Sequence, residues 1–416
     1  MDKELGQSGV CVRRLGGDRA GEVRIGRFLR NPRVTPGEMF RTAAERTAGL
    51  VEGRHILAIQ DTTTLHDDGR LCSLLLHPTI AVDAEHGALY GLIEAEFLHR
   101  AGGKKADHKK RPFAEKQSCR WLRGAEAAAS LREAGAARVT VIADREGDIY
   151  EEFALRPTGV DLLIRAAQDR CLADGTMLFA CTQGLAPLGR TTVDLPAAPG
   201  RRKRTATLEL RARQVALRRP GRPAAEKANL PTAVWLTLVE AHEIDAPAGI
   251  APAHWFLLTT HGVHSLMDAC TIVGFYRQRW TIEQLFRTCK TKGFDIEAVR
   301  MEDDKPFENL AAAILIAAIQ VMQLVRDRDG EAKRPLSDAF DPQDQPLLSA
   351  LSQQLQGKTE RQKNPHPEAS LAHAAWVIAR LGGWTGYYGK PGPVVTLHGL
   401  NRFNAIRIGW KTRTDV

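Results

Sequence analysis

Cysteine is sparse in this 416-residue chain: there are seven, an odd number, and no two of them form a Cys-x-x-Cys pair. That spacing excludes a disulfide framework and a thiolate zinc site. Aromatic residues make up only 6% of the chain, and long hydrophobic runs are scarce. The most apolar stretch, LAAAILIAAIQVMQLV at 310–325, is too short for a membrane span and contains two glutamines, so it reads as a buried core helix. No apolar signal-peptide region follows the first residues. The protein is therefore expected to stay in the cytosol, among the nucleoid DNA if the cell is bacterial, with no membrane partner. Negative charge is in deficit, with 49 Asp and Glu against 58 Lys and Arg and a formal charge of +9. The excess is clustered in KKADHKKR at 104–111, RRKR at 201–204 and RRPGR at 218–222. Such runs suit a phosphate backbone, with binding that weakens in salt, or serve solubility alone.

What is present is a 43% hydrophobic chain, ample for a sizeable core with appendages. HILAIQDTTTL, from His55 to Leu65, is a β-rich apolar run closed by Asp61. RVTVIADREGDIY, from Arg138 to Tyr150, repeats the pattern, with Val139, Val141 and Ile142 leading into Asp144. An aspartate at the end of a buried strand is rigidly placed and can ligate a metal; it also serves as ordinary turn chemistry. Glu146 and Asp148, in the same patch, read as supporting or capping residues rather than metal ligands.

Between 276 and 290 the chain reads YRQRWTIEQLFRTCK. Tyr276, Arg279, Glu283 and Lys290 fall within roughly 60° of one another at about 100° per residue, so one continuous helix would carry them on a single face, with Arg287 beside them. One carboxylate among three cations and a phenol suits a bound metal next to phosphodiester oxygens. A solvated helix face with i,i+4 pairs would show the same spacing. HGVH at 261–264 reads as a turn rather than a metal pair.

The expected elements are strands near 55–61, 72–82 and 87–97, a helix near 115–134, a strand near 138–144, a helix near 148–155, a strand near 160–166 and a helix over 268–292. This β-β-β-α-β-α-β-α order is that of a ribonuclease-H-like α/β fold, a mixed sheet flanked by helices, in which Asp61, Asp144 and Glu283 converge. Some 138 residues separate Asp144 from Glu283, so something is inserted. The stretch 185–262 is proline-rich and basic, with strand-like segments at 204–217 and 232–244.

The DTT, DREGDI and Tyr276–Arg279–Glu283–Lys290 motifs resemble those of DDE transposases of the bacterial insertion-sequence-four family. RFLRNPRV at 27–34, EKQSCRWL at 115–122, WFLLT at 255–259 and GGWTGYYGKPGP at 382–393 agree with that family. The resemblance implies Asp61, Asp144 and Glu283 as catalytic residues holding Mg²⁺, with Mn²⁺ as a substitute. It implies DNA contacts from Tyr276, Arg279, Arg287 and Lys290, and from Trp255 stacking on a flipped base, although a tryptophan heading an apolar strand also packs in cores. The implied partners are double-stranded DNA, as transposon ends and target, and a second copy of the chain. The implied reaction is nicking, hairpin formation, hairpin opening and strand transfer. The implied organisation is a shortened N-terminal DNA-binding region (1–48), a catalytic core in two parts (49–184 and 263–335) around a β-rich insertion (185–262), and a C-terminal helical dimerisation region (336–416). The alternatives are a nuclease or junction resolvase on the same fold, and a truncated, catalytically impaired relic or inhibitor of transposition that binds DNA or a full-length partner.

Overall fold

The computed structural model describes residues 12–67, 72–101, 112–195, 202–221, 229–290, 293–299, 301 and 303–414. Helices α1 (Val12–Gly16), α2 (Arg19–Arg30) and α3 (Pro36–Ala48) lead into strands β1 (His55–Gln60), β2 (Thr63–Asp67), β3 (Cys72–Asp83) and β4 (Leu89–Ala101). Then follow α4 (Cys119–Glu133), β5 (Arg138–Ala143), α5 (Tyr150–Ala154) and β6 (Val160–Arg165). Strands β7 (Gly189–Leu195), β8 (Arg204–Arg218), β9 (Ala233–Glu243) and β10 (His254–Thr259) come next. The chain closes with α6 (Leu266–Gln278), α7 (Trp280–Cys289), α8 (Asp304–Asp327), α9 (Gln345–Leu355), α10 (Leu371–Leu381) and α11 (Pro393–Thr414).

Among the described residues the strands form one large mixed sheet, in the order β2-β3-β1-β5-β6-β10-β9-β8-β7, with β4 also on β3. β1, β5 and β6 run parallel, while β3 is antiparallel to β1 and β4. The β4-β3-β1-β5-β6 block is consistent with the ribonuclease-H-like arrangement. The strands of the 185–262 stretch extend this same sheet: β10 pairs with β6 on one edge and with β9 on the other.

Alternation along the central strands divides the core in two, because successive side chains point to opposite faces. Leu57, Ile59, Ile142 and Leu163 pack with α6, α7 and α8 on one face. Ile56, Ala58, Val139, Val141 and Leu162 pack with Trp121, Ala125 and Ala128 of α4 and with Phe153 of α5 on the other. With both faces covered, β1 and β5 are buried along nearly their whole length. A third cluster joins the end of α8 to α9, α10 and α11.

α8 contains the expected core helix. It is long and apolar enough to cross a membrane by length and composition, but 72% of its most apolar window is buried inside the fold. Two expectations are corrected. β2 lies where no strand was expected. The expected helix over 268–292 is two helices that meet at Arg279, where bonds from Arg279 N–H to Tyr276 O and from Ile282 N–H to Arg279 O tighten the ladder to an i→i−3 pattern. The second of them ends at Cys289. The basic run 104–111 lies outside the described residues, as do Arg201 and Arg222.

Candidate active site

β1 and β2 share one edge of β3, β1 pairing with residues 79–83 and β2 with residues 73–76, while β4 occupies the other edge. Asp61 sits in the gap between them. Its N–H donates to Pro78 O at 3.4 Å, and its Oδ1 accepts the Thr62 N–H at 2.7 Å. The parallel register pairs Ile59 with Ile142, so the two strand ends deliver Asp61 and Asp144 side by side. Asp144 Oδ1 caps the following turn by accepting the Glu146 N–H at 2.8 Å.

Glu283 stands in the first turn of α7. Arg279 bridges it to the first strand: Nη1 donates to Asp61 Oδ2 at 3.1 Å and Nη2 to Glu283 Oε1. Burial opposes the Arg279 cation, yet Tyr276, Glu283 and Asp61 outweigh it and hold the guanidinium above its ordinary value. Asp61 is pushed up to about 7, first by burial, then by the Asp144 charge with Glu283 adding, against Arg279 and the Thr62 N–H. Asp61 therefore feels both other carboxylates, and Arg279 partly offsets them.

Tyr276, in the last turn of α6, is buried, with the Arg279 guanidinium 5.8 Å above its ring and Trp255 of β10 edge-on at 5.6 Å. Arg165, which ends β6, lies near Tyr276, which favours its charge, and donates to His254 O at 3.2 Å. Burial lowers its pKa, and Arg145 and Arg279 push the same way. This cation escaped the sequence reading; its signal was an arginine closing the apolar run VDLLIR.

The structure brings Asp61, Asp144, Glu283, Arg279, Tyr276 and Trp255 together and places Arg287 and Lys290 elsewhere. Arg287 lies over the Trp280 ring at 5.3 Å and lines a separate cavity. Lys290 closes α7 and pairs with Glu297 at 2.9 Å. The single-face reading assumed one helix axis from 276 through 290; Glu283 and Arg287 do remain one turn apart within α7, while the break at Arg279 puts Tyr276 on α6 and the helix end at Cys289 leaves Lys290 beyond α7. Asp148 serves as a buried acceptor for Arg170 and for the Ala167 and Gln168 N–H groups.

A buried polar chain backs Asp61. Thr62 Oγ1 meets His77 Nδ1 at 2.9 Å and accepts Arg120 Nε at 3.0 Å. His77 Nε2 meets Gln60 Oε1 at 3.2 Å, and Gln60 Nε2 donates to Glu152 Oε1 at 2.9 Å and Trp121 O at 3.2 Å. Burial holds Glu152 well above the usual carboxylate range and His77 well below the usual imidazole range, so each is biased toward its neutral form. Their visible trace in the sequence was a histidine and a threonine inside the apolar strand SLLLHPTIAV.

With Arg279 between Asp61 and Glu283, no three metal-ligating side chains among the described residues are gathered tightly enough to hold an ion. The donor set still suits a hard cation: these are carboxylate oxygens whose mutual repulsion, registered at Asp61, a divalent ion would relieve. The family model of the transposase DDE domain matches residues 60–319, a span that holds every residue of this cluster.

Proposed function

The chain belongs to the transposase DDE domain family, whose substrate is DNA, and from that premise we propose that it cuts transposon ends and joins them to target DNA in an Mg²⁺-dependent reaction. The observation that carries the proposal is the junction of Asp61, Arg279 and Glu283 at the break between β1 and β2, with Asp144 on the neighbouring strand end. Asp61, Asp144 and Glu283 would hold the metal, which supplies Lewis acidity at a phosphodiester oxygen and a more acidic water or 3′-hydroxyl. Arg279 offsets the carboxylates and turns to phosphate when they are otherwise neutralised. Tyr276 and Arg165 bind the backbone beside it. Trp255, partly exposed, offers its π-face to an unstacked base. Arg287 and Lys290 meet the backbone farther along.

In this reading the chain is of the insertion-sequence-four type and proceeds through a hairpin. The fold is ribonuclease-H-like, interrupted by the 185–262 insertion. The 1–48 region contacts the transposon end, and the 336–416 region joins two copies. The test incubates purified protein and Mg²⁺ with DNA spanning its own gene and both flanks, beside Glu283→Ala. Nicks, hairpins and joined ends that vanish in the variant support the proposal. DNA that is bound but left intact replaces it with a relic or inhibitor.

A further inference from the structure

A cavity of about 570 Å³ lies beside α7, and none of Asp61, Asp144 and Glu283 lines it. Its walls are Gln284, Arg287 and Thr288 of α7, the end of α8 with Arg326 and Arg328, His86 of the β3–β4 turn, and the first turn of α11. Arg326 and Arg328 spend their hydrogen bonds on neutral groups. Arg326 donates to Gly87 O at 2.9 Å and Gln278 Oε1 at 2.6 Å, and Arg328 Nη1 donates to Pro391 O at 2.8 Å. Arg328 Nε is buried without a partner. Burial lowers the pKa of both guanidinia; Arg328 lowers that of Arg326 further, while Asp329 partly offsets the effect on Arg328. Arg287 stands exposed at the mouth over Trp280.

The acidic groups do not balance these cations. Asp329, at the rim, is engaged by Lys390 at 2.8 Å, and Glu85 lies 3.7 Å from His86. α11 carries no acidic residue in its first turn, where Val394 and Val395 present backbone N–H groups without acceptors inside the helix. Half-buried cations bonded to neutral groups, lining a cavity of ligand size together with a helix N-terminus, form an anion site.

We propose that this cavity takes a phosphate group, through Arg287, Arg326, Arg328 and the first N–H groups of α11, and that the group is a phosphodiester of the DNA strand passing the carboxylates. The proposal rests on the function proposed above. It extends the DNA path to a second anchoring point.

The test is a salt-titrated binding assay on duplex DNA without divalent metal, comparing wild type, Arg328→Gln and Val394→Glu. Val394 is 41% exposed, so the second variant seats a carboxylate at the cavity without disturbing the core. Each variant is expected to bind about tenfold more weakly near 0.1 M salt, irrespective of sequence, with a log–log salt slope shallower by about 1. A parallel arm titrates inorganic phosphate against thermal melting. If phosphate stabilises wild type but neither variant while DNA binding is equal in all three, the site stands and its ligand is free phosphate. Equal slopes and affinities with no phosphate effect overturn the site while leaving the proposed function intact. Failure of wild type to bind DNA overturns the DNA assignment in both.

Discussion

Adding one methyl group at Gly124 tests the rigidity behind Asp61. Gly124 lies on the buried side of α4, and a Cβ there would stand 2.2 Å from Gln60 Oε1 and 2.9 Å from Thr79 Oγ1. A glutamine side chain ordinarily swings aside, but the Gln60 amide is fully buried and tied to Glu152, Trp121 O and His77. Yielding breaks up to three hydrogen bonds worth about 1 kcal/mol each, and not yielding incurs an overpacking cost of about 1–3 kcal/mol. The helix-propensity gain of Gly→Ala returns about 1 kcal/mol, so Gly124→Ala should lose about 2 kcal/mol in urea unfolding. The matched control is Gly274→Ala in α6, where an added Cβ meets nothing within 4 Å; it should gain about 0.5–1 kcal/mol. Because Gln60 precedes Asp61, Gly124→Ala should also lower DNA cleavage while Gly274→Ala does not. If both variants prove equally benign in urea, the polar chain does not fix the strand end and the reasoning fails.

Arg279→Met leaves Asp61 and Glu283 facing Asp144 without their shared cation, and the metal-free protein should be about 3 kcal/mol less stable at pH 8. The deficit should narrow at pH 6, because Asp61, already held at about 7, protonates more readily there; urea midpoints at the two pH values decide. His261, buried and held at about 4 against an ordinary 6.5, contributes stability that is present above pH 6.5 and lost as pH falls toward 4. His261→Gln should therefore lose less stability than wild type between pH 7 and pH 4.5, by at most about 3 kcal/mol, read from urea unfolding at both pH values. Trp255→Ala should reduce hairpin product more than nicked product, by the loss of about 1–3 kcal/mol of base stacking, whereas Trp255→Phe should keep most of both, as resolved on denaturing gels.

The parallel core was legible because burial on both faces leaves a strong trace. VTVIA and HILAI are near-continuous apolar runs, and each ends at the aspartate that the sheet register then places beside its neighbour. β8 was legible from alternation, as expected of a strand with one wetter face, whereas the middle of β9 is buried on both faces. The break at Arg279 was not legible, because apolar spacing continues through it and Arg279 itself keeps helical φ and ψ; only the hydrogen-bond ladder changes. That unseen break takes Tyr276 off the axis that carries Glu283 and Arg287, and the helix end at Cys289 does the same for Lys290. Arg165 and the Gln60–His77–Glu152 chain were hidden for another reason: their partners lie far away in sequence, and no local pattern encodes a contact between positions 60 and 152.

The end-to-end seating of β1 and β2 on a single edge of β3 bears on how such a gene can change length. One residue gained or lost between Gln60 and Thr63 would turn over every side chain of β2 against β3 while β1 stayed in place, so that two-residue interval is closed to insertion and deletion. Past β6 the opposite holds. β10 needs only to come back to the β6 edge, whatever length of chain is spent in between, and the antiparallel strands that precede it stack outward from that return. Growth of the lineage could thus accumulate along the far rim of the sheet, leaving the carboxylates where an ancestor had them.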